Sequence, residues 1–319
     1  MILKTLKIIF WGTPEFAIPA LKSLLENGYQ IVAVVTNPDE PVGRKQIMTP
    51  PPVKVLANKH KIPVYQPINL KDNNFVKELP TADIFIVAAY GKIIPKKILE
   101  IPKLGTLNIH PSLLPKWRGP SPIQSTILNG DSETGVTIIK IDELMDHGPA
   151  IATINFRLPT ANKPTFKELH EKLAKLGAEL LIEILPKYIA GEIKPEPQDD
   201  SKATYSKILK RDDGRIDWPR PAEEIERQIR AYESWPGSFT VWPDGKNYLR
   251  LKIEEAEAIE EEPSRGSSGF IWQNEKSEIF VKAGKGSLKL KKITPAGSKT
   301  MTAEEFLRGR PNFIGTNLI

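Results

Sequence analysis

Two polar side chains close a short apolar run and are suited to stabilising an oxyanion while moving a proton. The run Leu107-Asn108-Ile109-His110 is followed by Pro111, which has no N–H for a sheet and therefore ends the predicted strand. Because side chains alternate along a strand, Asn108 and His110 lie on one face, at its carboxyl end. An amide donor beside an imidazole can stabilise a developing oxyanion and transfer a proton. Such a pair by itself more often caps a strand through the backbone, so the flanking sequence decides.

The loop that follows resembles the formyltransferase family that uses 10-formyltetrahydrofolate. That family carries Asn-x-His, then Ser-Leu-Leu-Pro-x-x-Arg-Gly, then an aspartate well downstream. Here the loop reads Ser112-Leu113-Leu114-Pro115-Lys116-Trp117-Arg118-Gly119, and Asp146 stands at the expected distance. The resemblance runs from Leu6 to the last residues and, within the family, points to the enzymes that formylate methionyl-tRNA.

The resemblance implies a site and its substrates. Asn108, His110 and Asp146 would be catalytic, and the formyl group would pass from 10-formyltetrahydrofolate to the α-amino group of initiator methionyl-tRNA. The folate is then a co-substrate, with no permanently bound cofactor. The residues that would contact it are Ser112, Leu113, Leu114 and Pro115 as a pocket wall, and Tyr90, Gly91 and Ile141 through their backbone. No spacing of His, Asp and Glu resembles a metal site, so we expect no metal.

One long segment is a candidate tRNA contact. Residues 36–52 are too long and proline-rich for an ordinary connection between a strand and a helix, and such loops are often functional. The resemblance implies that this insertion enters the tRNA acceptor stem, with Arg44 and Lys45 as its basic residues. The alternative is a disordered surface loop.

Lysines are concentrated near the end of the chain. Seven lie between Lys276 and Lys299, whereas residues 254–262 carry six glutamates. In Ser287-Leu288-Lys289-Leu290-Lys291 the alternation places Lys289 and Lys291 on an outer face, from which they would contact tRNA phosphates. The alternative is an edge strand that lysines keep soluble.

The elements around these residues predict an α/β protein with two domains. Near-continuous Val/Ile runs separated by helices predict a Rossmann-like domain with a mostly parallel sheet, whose ligands bind at the carboxyl ends of its strands. Five short strands after residue 238 suit a small β-barrel, and the resemblance implies an OB-like one. We expect a folate-binding catalytic domain over residues 1–189, a linker over 190–206 and an OB-like tRNA-binding domain over 207–319.

Smaller features give further expectations. Thr13 and Pro14 should begin the first helix, because a threonine cap before proline is a common helix start, and Pro186 should begin the break after a long amphipathic helix. Arg118 is suited to holding a carboxylate or phosphate, or to a surface salt bridge. His60 should be solvated, His170 should lie on a helix surface, and His147 has no assigned role.

Composition limits the class of protein. The chain of 319 residues has 40% hydrophobic and 26% charged residues and a net charge of +6, typical of a soluble globular protein. It has no cysteine, which excludes disulfides, thiolate metal ligands and a cysteine nucleophile. We find neither a signal peptide nor a membrane-spanning run, and expect a cytoplasmic enzyme, as a monomer, with no membrane partner.

Three alternatives remain open. A formyltransferase acting on a sugar-nucleotide amine, or a formyl-folate hydrolase, would share Asn108, His110 and Asp146. A non-catalytic RNA-binding protein with the same two domains is a third. Arg44 and the lysines near the end favour tRNA as substrate, and the intact trio of polar residues disfavours an inactive protein.

Overall fold

The computed structural model describes residues 6–43 and 45–319, which form two compact units. The first unit comprises Met1–Pro122, Ser132–Leu158 and Leu169–Lys207. The second comprises Ile123–Asp131, Pro159–Glu168 and Ile208–Ile319. The expected linker, residues 190–206, therefore falls within the first unit.

The first unit is built on a seven-stranded sheet and a separate hairpin. Its strands are β1 (Lys7–Gly12), β2 (Gln30–Val35), β3 (Glu40–Val42), β4 (Ile47–Thr49), β5 (Val64–Tyr65), β6 (Ile84–Ala88), β7 (Thr106–His110), β8 (Glu133–Lys140) and β9 (Ala150–Arg157). The main sheet has the order β5-β2-β1-β6-β7-β8-β9. The first five strands in this order are parallel, and β8 and β9 are antiparallel. The predicted mostly parallel sheet is confirmed.

The chain has eight α-helices in the part that the structure describes, some in the first unit and some in the second. They are α1 (Ile18–Glu26), α2 (Pro52–Lys59), α3 (Asn73–Glu78), α4 (Lys96–Leu99), α5 (Pro122–Asn129), α6 (Phe166–Ile189), α7 (Ala222–Ala231) and α8 (Ala303–Gly309). Short 3-10 turns cover Glu15–Ala17, Asp200–Lys202, Arg211–Gly214 and Pro311–Phe313.

Close packing of α6 on β7 supports the strand that carries Asn108 and His110. The predicted stripe of α6 is buried at Leu169, Leu173, Leu176, Leu180 and Ile184, whereas Phe166 is only half-buried. A Cβ atom at Gly177 would lie 2.6 Å from Cγ2 of Ile109 on β7. Glycine therefore allows the helix to approach the strand directly beneath the two polar residues.

Two predicted helix boundaries are wrong. The long helix continues through Pro186 to Ile189, because the N–H that proline lacks is one bond in a helix held by a buried apolar face. Thr13 does not cap the first helix. Its hydroxyl donates instead to the carbonyl of Tyr90 at 3.2 Å and so joins the ends of β1 and β6.

The segment over residues 36–52 is not wholly irregular. It contains the antiparallel hairpin β3–β4, in which Glu40 pairs with Thr49 and Val42 with Ile47. The side chains of Val42, Ile47 and Met48 are more than half exposed. A hairpin of this kind projects apolar side chains to solvent without a core of its own.

The second unit is a small antiparallel barrel. Its strands are β10 (Phe239–Asp244), β11 (Asn247–Ile259), β12 (Ile271–Gln273), β13 (Ile279–Lys282), β14 (Ser287–Pro295) and β15 (Met301–Thr302), in the order β10-β11-β14-β13-β12 with β15 beside β14. The final residues join the two edge strands: Ile271 donates to Thr316 O, and Ile319 donates to Val241 O, each at 2.9 Å. The five predicted strands and their barrel arrangement are confirmed. The pairing of residues 315–319 was not predicted.

Candidate active site

Asn108, His110 and Asp146 meet at one carboxylate oxygen. Asn108 Nδ2 lies 3.4 Å from Oδ1 of Asp146, and His110 Nδ1 lies 3.5 Å from the same atom. The other oxygen of Asp146 accepts a hydrogen bond from the backbone N–H of Gly119 at 2.8 Å. Asn108 and His110 therefore share a strand face, as their spacing predicts, and Asp146 comes to them from the loop after β8.

The surroundings of His110 fix which ring nitrogen carries its first proton. The ring is buried, and Nε2 lies 3.0 Å from the carbonyl oxygen of Trp117. A carbonyl oxygen only accepts, so Nε2 donates. Nδ1 then faces the Asp146 carboxylate. Nδ1 of His110 and Oδ1 of Asp146 are both acceptors and repel each other unless a proton lies between them. The contact between these two atoms can therefore hold a proton.

The loop after His110 is held by the hydroxyl of its own Ser112 and by Thr137 of β8. Ser112 is fully buried, and its hydroxyl donates to Lys116 O at 2.6 Å. Thr137 Oγ1 donates to Ser112 O at 2.8 Å and accepts from the N–H of Leu114 at 3.1 Å. Ser112 thus shapes the loop from inside. Leu113, Leu114 and Pro115 are half-buried, with surface left for a ligand.

The residues expected to contact the folate through their backbone follow the strands on either side of β7. Val87, near the end of β6, pairs with Asn108, which places Tyr90 and Gly91 just beyond that strand end. The carbonyl of Tyr90 accepts from Thr13 and Asn37, and its ring is buried in the apolar core. Ile141 follows β8, which is antiparallel to β7, and its N–H donates to Thr106 O at 2.8 Å, at the opposite end of β7 from His110. Backbone groups of Gly91 are accessible, whereas the Tyr90 carbonyl is already used.

Arg118 is not a surface residue. Its side chain is 2% exposed, and its Nε and Nη2 donate to Oε1 of Gln198 at 3.1 and 2.8 Å. Nη2 also donates to Asp200 at 2.7 Å. The amide of Gln198 in turn donates to the carbonyls of Asp146 and Gly148. Neither Gln198 nor Asp200 was predicted from the sequence, because a polar segment rich in proline carries no periodic signal.

His147 lies between two carboxylates. Its Nδ1 is 2.6 Å from Asp142 and its Nε2 is 3.2 Å from Asp200. The hydrogen bond with Asp142 raises the pKa of His147 above its usual 6.5, and Asp200 adds to the shift. The hydrogen bond from Arg118 lowers the pKa of Asp200. A charged histidine is therefore favoured beside Asp146.

The other two histidines differ from each other. His60 is exposed, as expected. His170 is half-buried, with its ring 5.3 Å from that of Phe16 in an edge-to-face arrangement. Burial lowers the pKa of His170. The expected helix-surface position of His170 holds only in part, because its ring packs against Phe16 and is half covered.

The residues expected to contact tRNA lie in separate elements. Arg44 falls outside the described residues, and Lys45 is exposed between β3 and β4. In the second unit Leu288 and Leu290 enter the barrel and Lys289 and Lys291 face out, as predicted.

Each of these two barrel lysines contacts a glutamate. Lys289 pairs with Glu278, and Lys291 Nζ lies 3.0 Å from Glu257. A phosphate would therefore have to displace a carboxylate from the lysine that it contacts.

Within residues 6–43 and 45–319, no group of three His, Asp or Glu side chains is placed to hold a metal ion. Over the same residues, no helix is both long enough and apolar enough to span a bilayer.

Known proteins match this sequence over nearly the whole chain. The profile described as "Formyl transferase" matches residues 6–185, and "Formyl transferase, C-terminal domain" matches residues 208–311. A methionyl-tRNA formyltransferase of Chloroflexus aurantiacus is 43% identical over 95% of this chain and 97% of its own. One from Geobacillus thermodenitrificans is 43% identical over 98% and 97%.

Solved structures share the fold at lower identity. An N-formyltransferase from Helicobacter canadensis, in complex with folinic acid and dTDP-3-aminofucose, has a TM-score of 0.65 at 21% identity, covering 90% of this chain and 99% of its own. HypX from Aquifex aeolicus with tetrahydrofolic acid has a TM-score of 0.63 at 18% identity. That match covers 94% of this chain but only 46% of HypX, so the chain spans about half the length of HypX. With the profile and sequence matches, these findings show that the chain belongs to the formyl transferase family.

Proposed function

We infer that the protein transfers a formyl group from 10-formyltetrahydrofolate to the α-amino group of initiator methionyl-tRNA, which gives N-formylmethionyl-tRNA. Identity of 43% to methionyl-tRNA formyltransferases over almost the full length supports this substrate pair. The observation that carries the site assignment is the convergence of Asn108 and His110 on one oxygen of Asp146.

The chemistry needs charge stabilisation more than activation of the nucleophile. A free α-amino group has a pKa of roughly 7.7–8.0, so a usable neutral fraction is present near neutral pH. The amine nitrogen bonds to the formyl carbon, the formyl oxygen takes up negative charge, and the bond from that carbon to N10 then breaks. We propose that the second N–H of the Asn108 amide donates to this oxygen, and that a protonated Nδ1 of His110 donates to it in place of Asp146.

A proton must leave the amine and reach N10 of the departing tetrahydrofolate. We propose that His110 and Asp146 carry it, because their facing Nδ1 and Oδ1 atoms need a proton between them to be compatible. The Gly119 N–H supports the negative charge of Asp146 at its other oxygen. Holding both substrates in line at this point supplies much of the remaining rate enhancement.

We propose that the folate lies against Leu113, Leu114 and Pro115. Their half-buried apolar surface suits a flat heteroaromatic group, and Gly91 follows the end of β6, beside the end of β7. Ile141 is proposed on the resemblance alone, since it lies beside Thr106 at the start of β7. Ser112 acts by shaping this loop, since its hydroxyl is used inside it. Tyr90 contributes through the backbone of its loop.

We propose the tRNA contacts because the residues concerned are positively charged. Residues 1–189 form the catalytic domain in this proposal, and residues 207–319 bind tRNA with Lys289 and Lys291 outside the barrel. Arg44 and Lys45 contact the acceptor stem from the first unit. Arg44→Leu should therefore raise the KM for tRNA and leave the KM for folate unchanged. We further propose a monomer that acts in the cytoplasm, in keeping with a reaction of translation initiation.

One assay separates the proposed function from its alternatives. Purified protein and 10-formyltetrahydrofolate are incubated with charged initiator tRNA, with a sugar-nucleotide amine, or with neither acceptor. We expect formylation of the tRNA and a negligible rate with the other two. Formylation of the sugar amine alone, or formate release without an acceptor, would replace the proposed substrate. No turnover with any of them would favour a non-catalytic RNA-binding protein.

A further inference from the structure

A polar segment over residues 196–206 runs beside the proposed catalytic residues. Glu196 exchanges two backbone hydrogen bonds with Ala150, each 2.8 Å long. Further along, the N–H of Arg118 donates to Thr204 O at 2.9 Å, and the N–H of Ser206 donates to Arg118 O at 2.8 Å. The segment is thus paired with the start of β9 and with the loop that carries Arg118, which a flexible spacer would not be.

Gln198 is the side chain of this segment that reaches Asp146. Its Nε2 donates to the carbonyls of Asp146 and Gly148 at 2.8 and 2.7 Å. Its Oε1 accepts from Nε and Nη2 of the buried Arg118. A guanidinium can only donate, so Oε1 must face Arg118 and the amide N–H groups must face the two carbonyls. All of its hydrogen-bonding capacity is used in one orientation.

The backbone that Gln198 holds is unusual. Asp146 has a φ of 49°, a left-handed conformation that is unfavourable for a residue other than glycine and persists only when its surroundings impose it. At Gly148 a Cβ atom would lie 1.9 Å from the carbonyl oxygen of Lys140, so the turn also presses against β8. Local sequence preference alone does not hold such a turn.

We propose that Gln198 is a positioning residue for formyl transfer. It fixes the carbonyls of Asp146 and Gly148 so that the Asp146 carboxylate faces Asn108 and His110, and Arg118 fixes Gln198. This inference rests on the function proposed above. It assigns to Gln198 no contact with either substrate, so its effect must pass through Asp146.

The variant Gln198→Glu separates the two sides of this side chain. Glutamate keeps an acceptor for Arg118 but places a second acceptor against the two carbonyls, which repels them. We expect the kcat for formylation to fall about tenfold or more, with little change in either KM, because misplacement of a catalytic group lowers the rate rather than binding. If Gln198→Glu does not fold, Gln198→Met removes both donors at similar volume and gives the same readout.

The chain offers a closely matched control. Gln228 in the second unit is buried, whereas Gln198 is half-buried, but it too donates to two carbonyls, those of Gly214 and Arg215, and accepts from an arginine, Arg220. Gln228→Glu therefore introduces the same repulsion away from the proposed site. We expect it to lower the thermal unfolding midpoint and to leave kcat unchanged. A normal kcat for Gln198→Glu, or an equal reduction of kcat in both variants, would overturn the proposal.

A double-mutant cycle with Asp146→Asn tests the route of action. If Gln198 acts through Asp146, Gln198→Glu should lower kcat in the wild-type background and change it little when Asp146 is already Asn. Multiplying reductions of kcat would show an independent structural effect and overturn the proposal. If Asp146→Asn is impaired but Gln198→Glu is normal, the proposed function stands and only this inference fails. A normal rate for Asp146→Asn would refute the proposed role of Asp146 and, with it, this inference.

Discussion

At the scale of single residues, the proposed site depends on how three side chains share one oxygen. The spacing of Asn108 and His110 predicted their common face, because a strand ending at proline leaves few other arrangements. The resemblance pointed to Asp146. Neither predicted its left-handed backbone or its Gln198 support, because both depend on residues far apart in the chain.

His147 should make stability depend on pH. Its pKa is raised in the folded protein, first by Asp142 and then by Asp200, and Arg118 is the cation that faces Asp200. A raised pKa stabilises the fold fully below the ordinary value of 6.5, and this stabilisation disappears as pH rises through the raised value. The wild type should therefore exceed His147→Gln in thermal unfolding midpoint at low pH, and the gap should close at higher pH.

Thermal unfolding of both proteins on either side of pH 6.5 measures this gap. His60→Gln, at an exposed histidine, serves as the control and should show no such trend. A gap that stays constant or widens with rising pH would show that His147 does not stabilise the fold through its charge.

At the scale of elements, the close packing of α6 on β7 supports the strand end. Gly177→Ala gains about 0.5–1 kcal/mol in helix propensity, but overpacking typically costs about 1–3 kcal/mol. Because the new Cβ would lie 2.6 Å from buried Ile109, overpacking should dominate, and the free energy of unfolding should fall by a net amount of about 1 kcal/mol. Denaturant unfolding measures it.

Gly309 provides the matched control for this substitution. It also belongs to a helix, α8, but a Cβ there has no atom within 4 Å. Gly309→Ala should leave stability unchanged or slightly higher. Equal stabilisation by both substitutions would mean that α6 and β7 do not pack as closely as described.

The outer face of β14 makes a second prediction at this scale. If Lys291 binds a tRNA phosphate, Glu257 competes for it from 3.0 Å, and Glu257→Gln should tighten tRNA binding. The double variant Lys289→Ser, Lys291→Ser should have a shallower slope of log K for tRNA binding against log salt concentration. The slope should decrease by about 0.7–0.9 for each phosphate that is no longer neutralised. Binding of tRNA across a salt series measures both effects.

Glu183→Gln, which removes the exposed partner of Lys187 in α6, is the control and should not alter tRNA binding. If Glu257→Gln has no effect and the salt slope of the double variant is normal, the lysine–glutamate pairs serve the barrel alone. The salt-bridge partners were not evident from sequence, because they depend on the registers of β14 with β11 and with β13.

At the scale of the whole molecule, segments with a periodic apolar pattern were predicted correctly, whereas a polar segment without such a pattern was not. Apolar runs such as β1 and β6, and the alternation in β14, predicted the α/β unit and the barrel strands because burial imposes their periodicity. Residues 190–206 lack that periodicity and were therefore interpreted as a linker. Their hydrogen bonds place residues 196–206 against the proposed site, and only long-range pairing shows it.

The central claim is that Asp146, Asn108 and His110 perform formyl transfer. Formylation rates at saturating folate and tRNA test it, together with measurements of the binding of each substrate. Asp146→Asn keeps the size of the side chain and removes its charge. We expect it, Asn108→Ala and His110→Ala each to lower kcat by about a hundredfold with both substrates still bound, as for removal of one oxyanion donor or acid–base group. Asp72→Asn, at an exposed helix cap, should retain the normal rate. Near-normal rates in all three site variants would contradict the account.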